Sequence, residues 1–497
     1  MRPVLKCFAF LVFLALTSVT ARSETLTVGV ASFPESLQAG LSTNISLNVN
    51  RQFMDGLVAR NNDGQIVPDL AESWDLVNDT TWRFHLRHEV KFHDGVVFTA
   101  DDVKYTLDHA LNPKSAYGLM GRISAITNVT IVDPYTVDIG TAKPFPTLVV
   151  ALADILMEPK LYAEKVGPEQ QRRHPIGTGP FAFKSYVPGD RLELVANAGY
   201  WRGKPSIDGI IFRLIPEAST RVASLLAGET QIIEEVPVDL IDQVEKNPKL
   251  QIDAVSTSVG LVLTYDVTKP PFDNPKVREA LDYAVDKELI RKEILKGKGE
   301  VLQGQLLTSN TFGFNPTVKA RAYDPTKAKQ LLAEAGYPQG FTTSISTMSG
   351  RYLSDVDIAN AVSGMLNDVG VKVNINVMES GIFLKNLGSP ARDLGPIYMI
   401  GWYSFGDADF AMTWYTQANK RTAWTNSEFD QLFTKARSTN DIEARKAAYA
   451  KMAEIMHAEN PSMYLFGLPT IYGVSKRLSG FSAPPDRVLR LNEAVLR

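Results

Sequence analysis

Cysteine is almost absent from this chain of 497 residues, and Cys7 is the only one. As the single cysteine, it has no partner for an intrachain disulfide. It also precedes an apolar N-terminal run, whereas a cysteine that carries a lipid would follow that run. Histidine is also scarce, with none between His174 and His457. We therefore do not expect a soft-metal site built from imidazole and thiolate ligands over most of the C-terminal half.

Long apolar runs are missing beyond the N-terminus. The chain begins with two basic residues, continues with the apolar run 8–16 and then carries small residues. This order is typical of a secretory signal peptide, and the run is shorter than the about 20 residues that span a bilayer. We expect residues 1–23 to be a signal peptide cleaved after Ala21 or Ser23, and the mature chain to be in the periplasm or outside the cell, without a lipid anchor.

A strong net charge is missing as well. The net charge is −3 for the whole chain and −6 once the three basic residues of the expected signal peptide are removed. This mild acidic balance indicates no basic surface for nucleic acid or anionic lipid. The remaining 474 residues exceed the about 250 to 300 at which a single core stops growing. Two lobes are therefore expected.

Strand-like and helix-like patterns alternate along the chain, which favours an α/β fold. Alternating apolar residues predict strands at 26–30 and 371–377. Helices are predicted to begin after Asn274 and Asp324, each of which precedes a proline, and after Asp441. No tandem repeat and no Pro/Gly/Ser linker separates the lobes, so short crossing segments that suit a hinge are expected to join them.

Four motifs follow one another along the chain. They are AESW (71–74) with KFHDG (91–95), GTGPF (177–181) with YW (200–201), PKVR (275–278) with YDP (323–325), and GW (401–402) with DAD (407–409). Together they resemble the family 5 extracytoplasmic solute-binding proteins, which include dipeptide, oligopeptide, nickel, glutathione and opine receptors of ABC importers. The GTGP segment also fits a turn in which glycine supplies special backbone angles.

The resemblance implies an α/β fold with two lobes, the periplasmic-binding-protein fold of class II type with an extra subdomain in lobe I. Lobe I would comprise residues 24–258 and 470–497, with the inserted subdomain at about 46–175. Lobe II would comprise residues 259–469. The two crossings between these ranges are the expected hinge, because a ligand that contacts both lobes stabilises the closed form over the open one.

The loop after the GW motif is the main candidate for a ligand site in lobe II, because loops at strand ends often bind ligands in α/β folds. Trp402, Tyr403 and Phe405 are expected to wall the pocket. Ser404 is a candidate hydrogen-bond donor, and Asp407 a candidate partner for a ligand cation. The alternative is that Trp402 and Phe405 belong to the core and Asp407 caps the next helix. Peptide-binding relatives usually carry an acid closer to the GW pair.

Two further segments complete the candidate site. Arg351 lies near the position where dipeptide-binding relatives carry an arginine for the ligand carboxylate, and its guanidinium suits a carboxylate or phosphate. The alternative is a solvated loop arginine. Ser42, Thr43 and Asn44 are expected to line the facing wall in lobe I.

The function expected from these features is capture rather than catalysis. The chain contains no Gly-x-Ser-x-Gly elbow, no His-Glu-x-x-His helix and no cysteine nucleophile beyond Cys7. We expect a monomeric periplasmic receptor of an ABC importer, without cofactor or metal, that closes around a short peptide or peptide-like solute and delivers it to permease subunits served by cytoplasmic ATPases. The alternatives are an opine, a sugar phosphate, another anionic solute or a nickel chelate as ligand, and, from a different class, a secreted hydrolase or chaperone.

Overall fold

The computed structural model describes residues 24–34, 36–37, 39–40, 44–115, 117–389 and 391–497, except for the side chains at 44 and 45. The predicted signal peptide lies outside these residues, as do Ser42 and Thr43. Over the described part of the chain, no helix combines the length and the apolar character needed to cross a bilayer.

The strands of the described residues are mostly short, and two of them are exceptionally long. They are β1 (Thr25–Val30), β2 (Val58–Arg60), β3 (Ile66–Pro68), β4 (Ala71–Asn78), β5 (Thr81–Leu86), β6 (Ile126–Asp133), β7 (Thr136–Thr141), β8 (Phe181–Val187), β9 (Arg191–Ala196), β10 (Gly209–Leu214), β11 (Ile232–Ile233), β12 (Leu250–Tyr265), β13 (Glu300–Val301), β14 (Phe341–Met348), β15 (Val371–Met378), β16 (Ile397–Tyr403), β17 (Ser462–Ser475), β18 (Leu478–Ser479) and β19 (Val495–Leu496). The predicted strands at 26–30 and 371–377 are confirmed as β1 and β15.

Helices alternate with these strands, as an α/β fold requires. They are α1 (Asn44–Asn50), α2 (Ala100–Leu111), α3 (Met120–Ile123), α4 (Leu148–Leu152), α5 (Lys160–Arg173), α6 (Ala218–Leu226), α7 (Ile241–Glu245), α8 (Pro275–Tyr283), α9 (Lys287–Glu293), α10 (Pro325–Glu334), α11 (Asp355–Asp368), α12 (Ser380–Gly388), α13 (Ala408–Met412), α14 (Ser427–Arg437) and α15 (Ile442–Glu459).

The predicted helix starts are confirmed by their capping hydrogen bonds. The Asn274 side chain accepts from the backbone N–H of Lys276 at 3.0 Å, and the proline that follows begins α8. Asp324 caps α10 and Asp441 caps α15 in the same way. Such a bond satisfies a backbone donor that the first helical turn leaves free, and it is worth about 1 kcal/mol.

One mixed sheet runs through the whole molecule. Its strand order is β15-β14-β16-β12-β17-β11-β1-β10-β9-β8, and β13 pairs with β17. Each half of this order includes a parallel pair, β14 with β15 in one and β1 with β10 in the other, whereas the central strands β12 and β17 are antiparallel. A separate sheet of order β4-β5-β7-β6 forms beside it.

The hydrophobic cores support the proposed division into lobes. The largest cluster of buried residues runs from Val259 to Leu468 and belongs to lobe II. A second cluster, from Leu57 to Met157, covers the four-stranded sheet of the inserted subdomain. The remaining clusters combine residues up to Leu250 with residues from Ile471 onward. We propose the lobe boundaries near 258 and 469 on this basis.

The GTGP segment corrects one expectation about backbone angles. Neither Gly177 nor Gly179 has a positive φ. A Cβ on Gly177 would instead lie 2.0 Å from the carbonyl oxygen of Phe53, and one on Gly179 would lie 2.5 Å from the carbonyl carbon. Glycine is needed here because two backbone segments approach each other closely.

Glu234 is a buried carboxylic acid beside the central strands of lobe I. It directly follows β11, is 8% exposed, and accepts a hydrogen bond from the N–H of Ala31 at 3.0 Å. Burial raises its pKa to about 7, and the neighbouring charge of Glu235 adds to the effect. Ionisation of this group is therefore less favourable in the folded chain than in the unfolded chain.

We expect Glu234→Gln to stabilise the protein above pH 7, because the ionised carboxylate then opposes folding. The effect should vanish below the unfolded pKa of 4.5, where both states are protonated, and grow as the pH rises to about 7. The difference in unfolding free energy at pH 8 should reach roughly 3 kcal/mol. Urea unfolding of both proteins from pH 4 to 8 measures it. Glu229→Gln, at an exposed acid on the same lobe, is the control, and a difference independent of pH would contradict the assignment.

Candidate functional site

A narrow crevice lies between the two lobes beside their crossing segments. Its volume is about 30 Å³, which is room for about two water molecules. Residues of both lobes and of the crossing line it, and we call it the central crevice. They are Leu47, Arg60, Arg122, Asp154 and 485–488 from lobe I, 257–259 at the crossing, and Tyr403 and Phe405 from lobe II.

Lobe I contributes a group of buried charges to the central crevice. The carboxylate of Asp154 forms salt bridges with Arg60 and Arg122. Burial opposes the charge of Asp154, but the two guanidinium groups outweigh this and hold its pKa below the usual value. Two cations therefore share one anion, and the Nε atom of Arg60 is buried without a hydrogen-bond partner among the described residues.

A third arginine reaches the crevice from the C-terminal segment of lobe I. Arg487 has a left-handed backbone conformation with φ +62°. Its guanidinium donates to Glu235 at 2.8 Å and remains about one-third exposed. Burial lowers its pKa, but Glu235 and then Tyr403 raise it by more, so this group stays charged. Three arginines and two aspartates, Asp154 and Asp486, thus line the crevice, and positive charge is in excess.

Two of the predicted residues of lobe II, Tyr403 and Phe405, face these arginines. Their rings stack with centroids 5.7 Å apart. The guanidinium of Arg122 lies 3.9 Å from the centroid of the Phe405 ring, and Arg60 donates to the Phe405 carbonyl at 3.4 Å. Phe405 is therefore a contact between the lobes and not a residue of the lobe II core. Cation–π contacts of this kind contribute about 0.5 to 2 kcal/mol.

The other residues of this loop point elsewhere. Trp402 is 6% exposed and stacks on Trp414 within the core of lobe II. The hydroxyl of Ser404 bonds to Thr311 at 3.0 Å and to the Ser258 carbonyl at 3.2 Å. Neither residue lines the central crevice. Trp402 is a residue of the lobe II core, as the alternative interpretation has it. Ser404 attaches the loop to the crossing segment through its bond to Ser258.

Asp407 is engaged inside lobe II. Its carboxylate accepts hydrogen bonds from Arg445 at 2.9 Å and from the backbone N–H of Asp409 at 3.0 Å, which caps α13. Burial raises its pKa and Arg445 counteracts this. Asp407 therefore caps the next helix, as the alternative interpretation has it. Arg445 already balances its charge. We leave Asp407 out of the proposed ligand site.

Arg351 and the lobe I wall are less closely connected with the central crevice. Arg351 is exposed in lobe II, its backbone N–H donates to Asp355, and its side chain does not line the crevice. Its role toward a ligand carboxylate stays a prediction. The predicted Ser42 and Thr43 and the side chain of Asn44 lie outside the described residues. Helix α1, which begins at Asn44, contributes Leu47 to the crevice.

Sequence reasoning missed the three arginines of the crevice. Arg60 ends a three-residue strand and Arg122 lies in a one-turn helix, so neither stands in a recognisable motif. A signal existed for Arg487 alone. It follows two prolines and an aspartate in the segment that returns to lobe I, and such a polar turn is a common ligand position.

Comparison with known proteins agrees with this architecture. The model of the bacterial extracellular solute-binding proteins, family 5 Middle, matches residues 65–423. The glutathione-binding protein GsiB of Pectobacterium atrosepticum is 31% identical over 470 residues, covering 91% of this chain and 90% of that protein.

Two solved structures show the same fold. HbpA2 from Haemophilus parasuis is 28% identical with a TM-score of 0.87, covering 95% of this chain and 100% of its own. The periplasmic binding protein DppA from Helicobacter pylori, in complex with the peptide STSA, is 26% identical with a TM-score of 0.74 and coverages of 95% and 98%. The predicted two-lobed α/β fold is confirmed, and this chain belongs to the family 5 bacterial extracellular solute-binding proteins.

Proposed function

We propose that this chain is the periplasmic receptor of an ABC importer, and that it captures a short peptide or peptide-like solute between its lobes. The observation that carries the proposal is the central crevice, where arginines of lobe I face Tyr403 and Phe405 of lobe II. A solute bound there contacts both lobes at once. The glutathione-binding relative and the peptide-bound structure support a peptide as the ligand.

The charges of the crevice indicate which peptides suit it. Because positive charge is in excess, a ligand with more carboxylates than ammonium groups is favoured. Glutathione, with two carboxylates and one ammonium group, has this balance. Arg487 and Arg122 are the proposed carboxylate partners, since their side chains keep 35% and 20% exposure whereas Arg60 keeps 6%. The stacked rings of Tyr403 and Phe405 would pack against the ligand's apolar part.

Binding requires the lobes to move, because a crevice of about 30 Å³ cannot hold a peptide. The regular pairing of β12 with β17 is interrupted between Ser256 and Gly260, at the predicted crossing. We propose that rotation about this irregular segment opens the crevice for entry. Contacts of the ligand with both lobes then favour closure, and the importer recognises the closed form.

A small anionic solute is the second candidate. The same excess of arginine that suits a peptide carboxylate also suits an opine or a sugar phosphate, because guanidinium groups bind carboxylate and phosphate alike. Titration with both classes of solute separates the two candidates.

Export of the chain and delivery of its ligand complete the proposed function. The family model describes extracellular proteins, which supports export by the predicted signal peptide at residues 1–23. We propose that the mature chain acts as a monomer, releases its ligand unchanged, and delivers it to permease subunits with cytoplasmic ATPases. Recovery of the bound solute without chemical change distinguishes this receptor from a hydrolase.

We expect Arg487→Ala to weaken binding of glutathione by at least about tenfold, because a charge-assisted hydrogen bond contributes about 1.5 to 3 kcal/mol. Calorimetric titration of the wild type and the variant with glutathione, a dipeptide, an opine and a sugar phosphate measures this. Arg213→Ala is the matched control, since Arg213 is an exposed arginine of lobe I that pairs with Glu229 and does not line the crevice. Equal affinities for wild type and Arg487→Ala would remove this residue from the site.

We also expect the bound ligand to change the molecule's shape. Small-angle X-ray scattering with saturating ligand should give a smaller radius of gyration than scattering from the free protein, because closure joins the lobes. Phe405→Ala should reduce the ligand's effect, since it removes the ring that Arg122 contacts across the lobes. Identical scattering curves with and without a tightly bound ligand would contradict closure.

A further inference from the structure

Glu235 and Arg487 form an ion pair in lobe I beside the central crevice. The guanidinium of Arg487 donates to the carboxylate of Glu235 at 2.8 Å. Arg487 lines the crevice, and Glu235 is joined to the crevice through this contact. The side chains of Arg487 and Glu235 keep 35% and 49% exposure, so neither charge is enclosed by the protein. Both groups therefore have surface that a ligand can contact.

Both residues of this ion pair have a left-handed backbone. The φ angle is +55° at Glu235 and +62° at Arg487. This conformation is unfavourable for residues other than glycine, and such residues cluster at active sites and ligand clamps. Phe405, which lines the central crevice from lobe II, has a φ of +47°. Three non-glycine residues with this backbone thus meet at or beside one crevice, which points to binding rather than to the needs of the fold.

The backbone around Glu235 is held on both sides. The N–H of Glu234 donates to the carbonyl of Gly29 at 3.2 Å, and the N–H of Val236 donates to that of Ile471 at 3.0 Å. Ile471 belongs to β17, close to the proposed lobe boundary near 469. Because its neighbours are fixed, the Glu235 carboxylate projects from a rigid support, and less freedom is lost when a ligand binds it.

Lobe II approaches this ion pair from two directions. Tyr403 is close enough to Arg487 to contribute to the raised pKa of its guanidinium. Leu353 of lobe II packs against the lobe I cluster that includes Val236, the residue after Glu235. The ion pair therefore lies near the boundary of the two lobes, where a ligand held between them can contact it.

The contact between the two side chains leaves part of their hydrogen-bonding capacity unused. It occupies one nitrogen of the Arg487 guanidinium and one oxygen of the Glu235 carboxylate, and no other side-chain bond of either group occurs among the described residues. The free oxygen suits an ammonium, and the free N–H groups suit a carboxylate. A ligand group with both charges satisfies both sides at once and adds no net charge.

We propose that Glu235 and Arg487 together bind a free amino acid end of the ligand, in which an ammonium and a carboxylate stand on the same carbon. The ligand ammonium donates to Glu235 and its carboxylate accepts from Arg487, so charges of opposite sign alternate around the four groups. Arg122 remains for a second ligand carboxylate.

This inference rests on the proposed function and narrows its ligand class. In an ordinary α-linked peptide, the ammonium and the terminal carboxylate are on different residues and different carbons. In a peptide linked through the side-chain carboxylate of its first residue, both charges stay on one carbon. The ligand class is therefore a peptide of this second kind, such as a γ-glutamyl peptide.

The test compares γ-glutamyl-leucine with α-glutamyl-leucine. These isomers have the same atoms and the same net charge, but only the first has its ammonium and a carboxylate on one carbon. In calorimetric titrations of the mature protein, we expect the γ-linked isomer to bind at least about tenfold more tightly. Glu235→Gln removes the charge and keeps the side-chain shape. It should weaken binding of the γ-linked isomer about tenfold without weakening that of the α-linked isomer.

Glu229→Gln is the matched control. Glu229 is an exposed acid of lobe I that also pairs with an arginine, and it does not line the crevice, so its replacement should leave both affinities unchanged. Equal or tighter binding of the α-linked isomer by the wild type, or an equal loss for both isomers in Glu235→Gln, would overturn this inference and leave peptide capture standing. Failure of both isomers and of glutathione to bind would overturn the proposed function together with it.

Discussion

The pairing of β12 with β17 is the constraint on which the rest of the structure depends. These two long strands run from one lobe into the other side by side, and their ladder joins both halves of the molecule in one sheet. The rotation that we propose about the crossing would therefore leave the two lobes joined by this ladder. The position of the central crevice follows from this, since the loop after β16, which pairs with β12, comes to face lobe I beside the crossing.

Much of the fold could be predicted from the sequence, because its signals are local. Alternating apolar residues place β1 and β15, and the residues at 274, 324 and 441 place three helices through capping bonds that depend only on the next few residues. The GTGP motif shows the limit of such reasoning. The role of Gly177 depends on the backbone of Phe53, which is distant in sequence, and no local pattern reveals that approach.

The candidate site was predicted less completely, because it is assembled from distant segments. The loop after β16 was identified, but its side chains diverge: Tyr403 and Phe405 reach the crevice, whereas Trp402 and Asp407 face the interior of lobe II. The side chains of Trp402 and Tyr403 point to opposite faces because side chains alternate along a strand. The turn within the loop sends the side chains of Phe405 and Asp407 in different directions. Arg60, Arg122 and Arg487 come from three separate segments of lobe I, and only tertiary structure brings them together.

Phe405 combines two opposing requirements. Its φ of +47° and that of +87° at Gly406 form a left-handed bend, a conformation that costs a non-glycine residue about 1 kcal/mol or more. A glycine would relax the chain but would have no ring for Arg122 to stack upon. The bend also turns the carbonyl of this residue toward Arg60. The molecule thus tolerates local strain at one position, and in return this one residue makes two contacts between the lobes.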